Sequence, residues 1–339
     1  MTHTPFTTAE SKQPSTNRRD FLFQAGTGLG AIALQSLLLQ DPAFHTNRIH
    51  ASPSDTHSPS TGPAHVKPRA KNIIYLFMDG GPSHLDTFDP KPLINQYAGT
   101  PLPDSIERVI TPMGVSNNPI LPSKRKWKYC GESGMPVSDW YAHVGECADD
   151  LCVIRSCWAN GLNHVGSVSQ MNTGSILGGR PSLGAWVSYG LGTENQNLPG
   201  YMVLCPGKPV VGPQLWSNSF LPGIFQGTHI NHSNLDPKKV IRHINNGYLT
   251  RISQRDQLDL LKRMNQLHLE KRGGRDNPLE ARIESLEMAY RMQTEAQEVF
   301  DLGKETKETR SSYGSGQFAD ACLAARRLVE SGVRMVQIY

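Results

Sequence analysis

The sequence lacks the features that mark several common function classes. It has no stretch of about 20 uninterrupted apolar residues, the length of a membrane-spanning helix; the apolar run at 25–39 is broken by Gln35, Ser36 and three glycines. It has no broad basic face with interleaved aromatic residues, so we expect no nucleic-acid partner. The glycine-rich run GTGLG at 26–30 opens no strand–turn–helix unit and therefore predicts no dinucleotide site.

What is present is the composition of an ordinary globular protein. Of the 339 residues, 37% are hydrophobic and 19% are charged, and the 34 basic and 30 acidic residues leave a formal charge of +4. The 31 glycines and 24 prolines favour strands joined by elaborate loops over an all-helical fold. The length suits one large domain or two modest ones.

The N-terminus carries a pattern that resembles a twin-arginine export signal. Residues 17–23 read NRRDFLF and lead directly into the apolar run. The positions that match the usual signal are Arg18, Arg19, Phe21 and Leu22. We therefore expect residues 1–40 to be read by the twin-arginine translocase, which places the protein in the periplasm or outside the cell. An uncleaved signal acting as a membrane tether is the alternative.

The rest of the chain divides into a linker and one domain. Residues 41–70 are dense in Pro, Ser, Thr and His without periodicity, which is typical of a disordered linker. Short apolar runs predict strands at 72–77, 151–156, 201–205 and 333–339. Helical patterns cover 138–150, 182–191, 236–270, 279–302 and 316–332.

The alternation of strands and helices over residues 71–339 predicts an α/β fold with a mainly parallel sheet. The strand at 333–339 closes the sequence. Because a domain rarely ends on an interior strand of a parallel sheet, we expect the sheet to be incomplete at its C-terminal end.

The six cysteines permit more than one interpretation. An exported chain can be oxidised, so one or two disulfides are compatible with the sequence, and so are buried free thiols. Cys147, Cys152 and Cys157 follow one another at intervals of five, wider than the paired cysteines of most zinc sites. This spacing argues against structural zinc, and the sequence does not choose the partners of any disulfide.

Four motifs in order carry a family resemblance. They are GGPSHLDTFDPKP at 80–92, GESG with DDLCVIRS at 131–156, NHVGSVSQMNTG at 163–174, and GGRPSLGAWVSYGLGTENQNLPGYMVL at 178–204. Together with the twin-arginine leader, they resemble the bacterial family called domain of unknown function 1501. That family is related to the alkaline phosphatase and sulfatase superfamily. The resemblance implies an alkaline phosphatase-like three-layer sandwich with a mainly parallel sheet.

The resemblance also implies a divalent metal held by an acid at the end of the first strand. In this chain the acid is Asp79, and His84 and Asp86 are the further candidate ligands. Oxygen ligands suit Mg, Mn or Ca, whereas an added imidazole suits Zn. The alternative for Asp86 is an ordinary role in a turn or a helix cap.

In the superfamily a nucleophilic Ser, Thr or modified Cys lies at a helix N-terminus shortly before a Thr-Gly pair. Thr173 and Gly174 match that pair, but the expected nucleophile position holds His164. An imidazole there could bind a metal, hold an anion or shuttle a proton, or it could be a hydrogen-bonded loop histidine. Ser167 is a nearby hydroxyl, and Arg180 matches the arginine-containing turn.

These features together predict an exported, metal-dependent hydrolase of sulfate or phosphate esters. The substrate class implied by the resemblance is a small-molecule or polysaccharide ester. The alternative is a non-catalytic binding or assembly protein that has kept the fold and the anion pocket but has lost the nucleophile, because His164 stands in its place.

Overall fold

A computed structural model describes residues 69–106, 118–237, 239–241, 247–271 and 277–339. The predicted export signal over residues 1–40 and the predicted linker up to residue 68 lie outside the described residues. No helix in the described ranges is both long and apolar enough to span a membrane.

The described chain contains short strands and helices of widely different length. The strands are β1 (Ile73–Leu76), β2 (Trp127–Cys130), β3 (Met135–Ser138), β4 (Tyr201–Leu204), β5 (Thr228–Ile230) and β6 (Met335–Ile338). The α-helices are α1 (Pro92–Gln96), α2 (Ala142–Gly145), α3 (His164–Thr173), α4 (Leu183–Leu191), α5 (Arg251–Lys271), α6 (Asn277–Val299), α7 (Lys307–Tyr313) and α8 (Gln317–Glu330). Single 3₁₀ turns lie at His84–Asp86, Asp139–Tyr141, Ala148–Asp150, Gly212–Trp216, Gly223–Phe225 and Leu302–Lys304.

The main sheet has four parallel strands in the order β1-β6-β4-β5. Strand β6 lies in the interior, with Met335 opposite Ile73 of β1 on one side and opposite Tyr201 of β4 on the other. All residues of β4 and β6 are buried, as expected for central strands of a sheet covered on both faces. The separate hairpin β2–β3 is antiparallel.

Helices cover both faces of the main sheet. On one face Met202, Leu204, Val336 and Ile338 pack with residues of α6 and α8. On the other face Tyr201, Val203 and Met335 pack with Val168 of α3 and with Leu215 and Trp216 of the 212–216 turn. Because successive strand residues point to opposite faces, this alternation gives a three-layer α/β sandwich. The predicted fold class is confirmed.

Three of the four predicted strands are confirmed, at 72–77, 201–205 and 333–339. The prediction of a strand at 151–156 is wrong: this segment forms no strand, and Leu151 and Ile154 are exposed. Its apolar residues do not enter the sheet, so a short apolar run does not by itself identify a strand. The incompleteness of the sheet stays a prediction.

The predicted helices differ from the structure mainly in their bounds. The pattern at 138–150 breaks into α2 and two 3₁₀ turns. The helix expected from residue 236 begins only at Arg251, after Thr250 accepts a hydrogen bond from the amide of Ser253 at 3.1 Å. The predicted N-cap Ser182 is confirmed, since its hydroxyl accepts a hydrogen bond from the amide of Ala185 at 3.4 Å.

Two glycines of α4 provide a matched test of the packing between α4 and Tyr201 of β4. A Cβ at Gly184 would lie 2.3 Å from the ring of Tyr201, whereas a Cβ at Gly190 would meet nothing within 4 Å. We expect Gly184→Ala to lower the free energy of unfolding by about 1–3 kcal/mol through overpacking. Gly190→Ala should raise it by about 0.5–1 kcal/mol, because alanine loses less backbone entropy in a helix. Denaturant unfolding measures both, and equal effects of the two substitutions would contradict this packing.

Candidate active site at the carboxyl edge of the sheet

The carboxyl ends of the parallel strands bring three polar groups to one edge of the sheet. Asp79 follows β1, Cys205 follows β4 and Tyr339 follows β6. Burial raises the pKa of both Cys205 and Tyr339, and the negative charge of Asp79 raises them further. All three residues follow the carboxyl ends of their strands, at the edge where open α/β sheets bind ligands.

A buried hydrogen-bond network lies directly beneath this edge. The hydroxyl of Tyr201 donates to Oε1 of Gln337 at 2.5 Å, and Nε2 of Gln337 donates to Oδ1 of Asn172 at 2.5 Å. The hydroxyl of Tyr339 donates to the same Oδ1 at 3.0 Å. Tyr201, Asn172 and Gln337 are each about 2% exposed or less. The network therefore joins α3 to the two central strands through satisfied polar groups.

This network was not predicted from the sequence, although the sequence contains an indication of it. Gln337 is the one polar residue of the strand MVQI, and such a residue in a central strand needs a buried partner. Asn172 is likewise a polar residue on the sheet-facing side of α3. The partner could not be named from the sequence, because Asn172 and Gln337 are 165 positions apart.

The structure places Asp79 in an open turn. Its Oδ1 accepts a hydrogen bond from the amide of Gly80 at 3.1 Å, and the side chain is exposed. Gly80 and Gly81 have φ of 91° and 69°, a region that side chains rarely adopt, so the two glycines allow this turn. The other carboxylate oxygen of Asp79 accepts no hydrogen bond from a described residue.

The other two candidate metal ligands lie in the 3₁₀ turn after this loop. Asp86 accepts a hydrogen bond from the hydroxyl of Ser123 at 2.5 Å, and this bond is the main reason that its pKa is lowered. His84 is exposed. Within the described part of the chain, no three His, Cys, Asp or Glu side chains form a group that could hold a metal ion. The structure therefore does not join Asp79, His84 and Asp86 into one such group.

The N-terminus of α3 carries the two candidate catalytic residues His164 and Ser167. His164 is the first helical residue and is exposed, and Ser167 follows one turn later on the same side. The cap is Asn163, whose Oδ1 accepts a hydrogen bond from the amide of Gly166 at 2.9 Å. Ser167 lies against Gly161, where an added Cβ would come within 2.7 Å of the Ser167 hydroxyl.

Arg180 borders a small cavity between α3 and the 212–217 segment. The cavity has a volume of about 40 Å³ and is lined by Ser169, Thr173, Gly178, Gly179, Arg180, Gln214, Leu215 and Ser217. Arg180 is exposed and forms no ion pair with a described carboxylate. Its guanidinium group is thus a free cation beside hydroxyl and amide groups, an arrangement suited to an oxyanion.

Two histidines lie near the end of β5, on the same edge of the sheet. His229 stacks on Trp216 at a centroid distance of 5.2 Å, and its Nε2 lies 3.1 Å from the carbonyl oxygen of Cys205. His232 is only 3% exposed, and its buried Nδ1 forms no hydrogen bond with a described residue. Burial lowers the pKa of His232, and the neighbouring His229 lowers it further. Neither histidine was among the site residues predicted from the sequence.

Comparison with known proteins assigns the folded part of the chain to a family. The family described as protein of unknown function (DUF1501) matches residues 70–339. The chain belongs to the DUF1501 family. No curated protein and no solved structure matches it. The family resemblance read from the four motifs is therefore confirmed, while its relation to the alkaline phosphatase and sulfatase superfamily stays a prediction.

In this DUF1501 chain the structure does not join all the predicted site residues in one cavity. Asp79 lies in the turn after β1, and His84 and Asp86 lie in the following 3₁₀ turn. His164 and Ser167 lie in the first turn of α3, whereas Arg180 borders the cavity beside Ser169 and Thr173, whose lining includes neither His164 nor Ser167. All six cysteines are free thiols in the structure, which therefore contains no disulfide.

The lowered pKa of His232 predicts that the stability of the fold depends on pH. Because the pKa of His232 in the folded protein is below the ordinary histidine value of 6.5, the unfolded state binds a proton more readily. The stability of the fold is therefore complete above about pH 7 and falls as the pH drops below it, by up to about 1.4 kcal/mol per pH unit. Denaturant unfolding of the wild type and of His232→Gln between pH 7.5 and about 5 measures this slope.

The variant His232→Gln should show a shallower pH slope than the wild type. His268→Gln is the matched control, because His268 is exposed on α5 and should leave the slope unchanged. An identical slope in the wild type and in His232→Gln would show that protonation of His232 does not control acid stability.

Proposed function

We propose that this DUF1501 protein is an exported hydrolase of sulfate or phosphate esters, including esters carried by polysaccharides. The observation that supports the proposal is the cavity beside α3, where Arg180, which forms no ion pair with a described carboxylate, borders Ser169, Thr173 and Gln214. The same helix contacts Tyr339 at the carboxyl edge through Asn172. An anionic group held at Arg180 would thus lie close to the edge that carries Asp79.

In this proposal Arg180 binds and orients the anionic ester group through its planar fork of N–H donors. His164, an exposed imidazole at the first position of α3, donates or accepts a proton in the reaction. Ser167 or a water molecule attacks the phosphorus or sulfur atom, the bond from that atom to the ester oxygen breaks, and the alcohol leaves with a proton. If Ser167 attacks, a water molecule then hydrolyses the serine ester and frees the hydroxyl. The hydroxyl of Ser169 is less suited to attack, since it donates to the carbonyl oxygen of Val165 at 2.7 Å.

We propose Asp79 as the metal ligand that fits best among the predicted ones. Its second carboxylate oxygen is open, and Mg²⁺ is commonly held by one or two carboxylates together with waters and substrate oxygens. Asp86 fits less well, because Ser123 already donates to its carboxylate. A bound Mg, Mn, Ca or Zn ion would supply positive charge to the ester group. The residues described here would position the ester and move the proton.

A non-catalytic binding or assembly role is the second candidate, and one observation favours it. The side chain of Asn163 accepts the hydrogen bond of Gly166 at the N-terminus of α3, the end where an attacking hydroxyl and an anion would be expected. The nucleophile position itself holds His164. A protein that kept only the Arg180 cavity would bind an oxyanion without cleaving an ester.

A hydrolysis assay on the full chain separates these two roles. We expect turnover of aryl sulfates or aryl phosphates that is lost on chelation and restored by Mg, Mn, Ca or Zn. Arg180→Gln and Asp79→Asn should each lower kcat/KM at least tenfold, because each removes a charge that binds the ester or the metal. Arg310→Gln, which changes an exposed arginine of α7, is the control and should have no effect.

The two outcomes of that assay are distinct. Oxyanion binding that depends on Arg180 without any turnover would support the binding role and reject the hydrolase. Turnover that Arg180→Gln and Asp79→Asn leave unchanged would place the active site elsewhere.

We also propose export by the twin-arginine route, on the basis of Arg18 and Arg19. Replacing both with lysine keeps the charge but removes the guanidinium pair, so the protein should accumulate inside the cell. Replacing Arg48 and Arg69 with lysine is the matched control and should leave export intact. Fractionation of cells with an antibody to the folded domain measures the distribution. Normal export of the Arg18→Lys, Arg19→Lys protein would contradict the proposal, and recovery of exported protein in the membrane fraction would indicate a tether.

A further inference from the structure

A second cleft lies at the opposite edge of the sheet from the candidate active site. It has a volume of about 460 Å³, and its lining includes Asn197, Arg251, Tyr290, Arg291 and Ser331. Asn197 precedes β4 and Ser331 precedes β6, so both lie at the amino ends of parallel strands. Asp79 and Tyr339 lie at the carboxyl ends. The cleft is therefore separate from the site proposed for ester hydrolysis.

The acidic groups of this cleft already have partners. Glu295 accepts a hydrogen bond from Nδ2 of Asn195. Glu298 accepts one from Nζ of Lys304 at 2.9 Å, and this contact lowers its pKa. Neither carboxylate forms an ion pair with an arginine of the cleft, although Glu295 keeps its negative charge because its partner is a neutral amide.

The two arginines, in contrast, form no ion pair with a described carboxylate, although Arg291 lies near enough to Glu287 to lower the pKa of that carboxyl group. Arg251 donates from Nη1 to the hydroxyl of Thr294 at 2.7 Å, and its guanidinium carbon lies 5.6 Å from the ring centroid of Tyr290. The hydroxyl of Tyr290 donates back to the carbonyl oxygen of Arg251 at 3.3 Å. These contacts hold the guanidinium group in position without neutralising it.

Arg291 is the more unusual of the two. Its Nε is buried and forms no hydrogen bond, and the side chain forms no ion pair within the described ranges. The buried Nε of nearby Arg255 likewise has no partner, but its terminal nitrogens donate to Glu287 at 2.5 and 2.7 Å and to Asp259 at 2.8 Å. The terminal nitrogens of Arg291 donate to no described group, so a ligand in the cleft could accept their hydrogen bonds.

We propose that this cleft binds a small organic oxyanion, whose carboxylate or phosphate group pairs with Arg251 and Arg291. Guanidinium groups match the paired oxygens of such anions. The cleft is in the size range of small-molecule sites and is larger than a bare inorganic ion requires, so the ligand carries an organic body. The proposal does not depend on ester hydrolysis at the other edge.

Titration calorimetry on the full chain, at constant ionic strength, tests the proposal with citrate and with phenyl phosphate as probes. We expect saturable binding of at least one probe. Arg291→Gln and Arg251→Gln should each weaken that binding at least tenfold, and Arg291→Lys should recover part of the loss. Arg263→Gln is the control, because Arg263 is exposed on α5 outside the cleft, and it should leave binding unchanged.

The relative affinities of the two probes identify the anionic group, since tighter citrate binding assigns the cleft to carboxylates and tighter phenyl phosphate binding assigns it to phosphate esters. Absence of binding by both probes would overturn the proposal. Binding that Arg180→Gln abolishes and Arg291→Gln leaves intact would also overturn it, because the probe would then occupy the cavity beside α3. Thermal unfolding without ligand shows that each variant is folded, and Arg251→Gln tests the cleft independently if Arg291→Gln is unstable.

Discussion

The pairing of β6 with both β1 and β4 is the constraint on which the rest of the structure depends. It places Gln337 in the centre of a buried sheet, where the side-chain amide must find hydrogen-bond partners. Tyr201, Asn172 and Tyr339 supply them. One of these partners, Asn172, lies on α3, so the hydrogen bonding of a single strand residue ties the sheet to the helix that borders the cavity at Arg180.

The parallel direction of the four strands has a second consequence, which is that the two edges of the sheet differ in chemistry. The carboxyl edge gathers Asp79, Cys205 and Tyr339, and burial raises the pKa of Cys205 and Tyr339. The amino edge carries the larger cleft, where Arg251 and Arg291 form no ion pair with a described carboxylate.

The strands of the sandwich could be predicted from the sequence, because each is a short apolar run that can be recognised without knowledge of contacts between distant segments. The runs at 72–77, 201–205 and 333–339 are strongly apolar, and all became strands of the main sheet. The run at 151–156 has fewer apolar residues and stayed outside the sheet. For the candidate site, the sequence selected Asp79, His164 and Arg180 by motif, but it could not reveal that Ser123 binds Asp86, since 37 positions separate them.

The sequence by itself determined the family, the class of fold and the identity of the polar residues that could carry chemistry, because these depend on local pattern and on ordered motifs. Only the tertiary structure decided which of those residues have partners. The availability of Arg180, Arg251 and Arg291 and the engagement of Asp86 are set by distances between segments far apart in the chain. Free energy of hydrogen bonding and desolvation depends on those distances, and no local pattern encodes them.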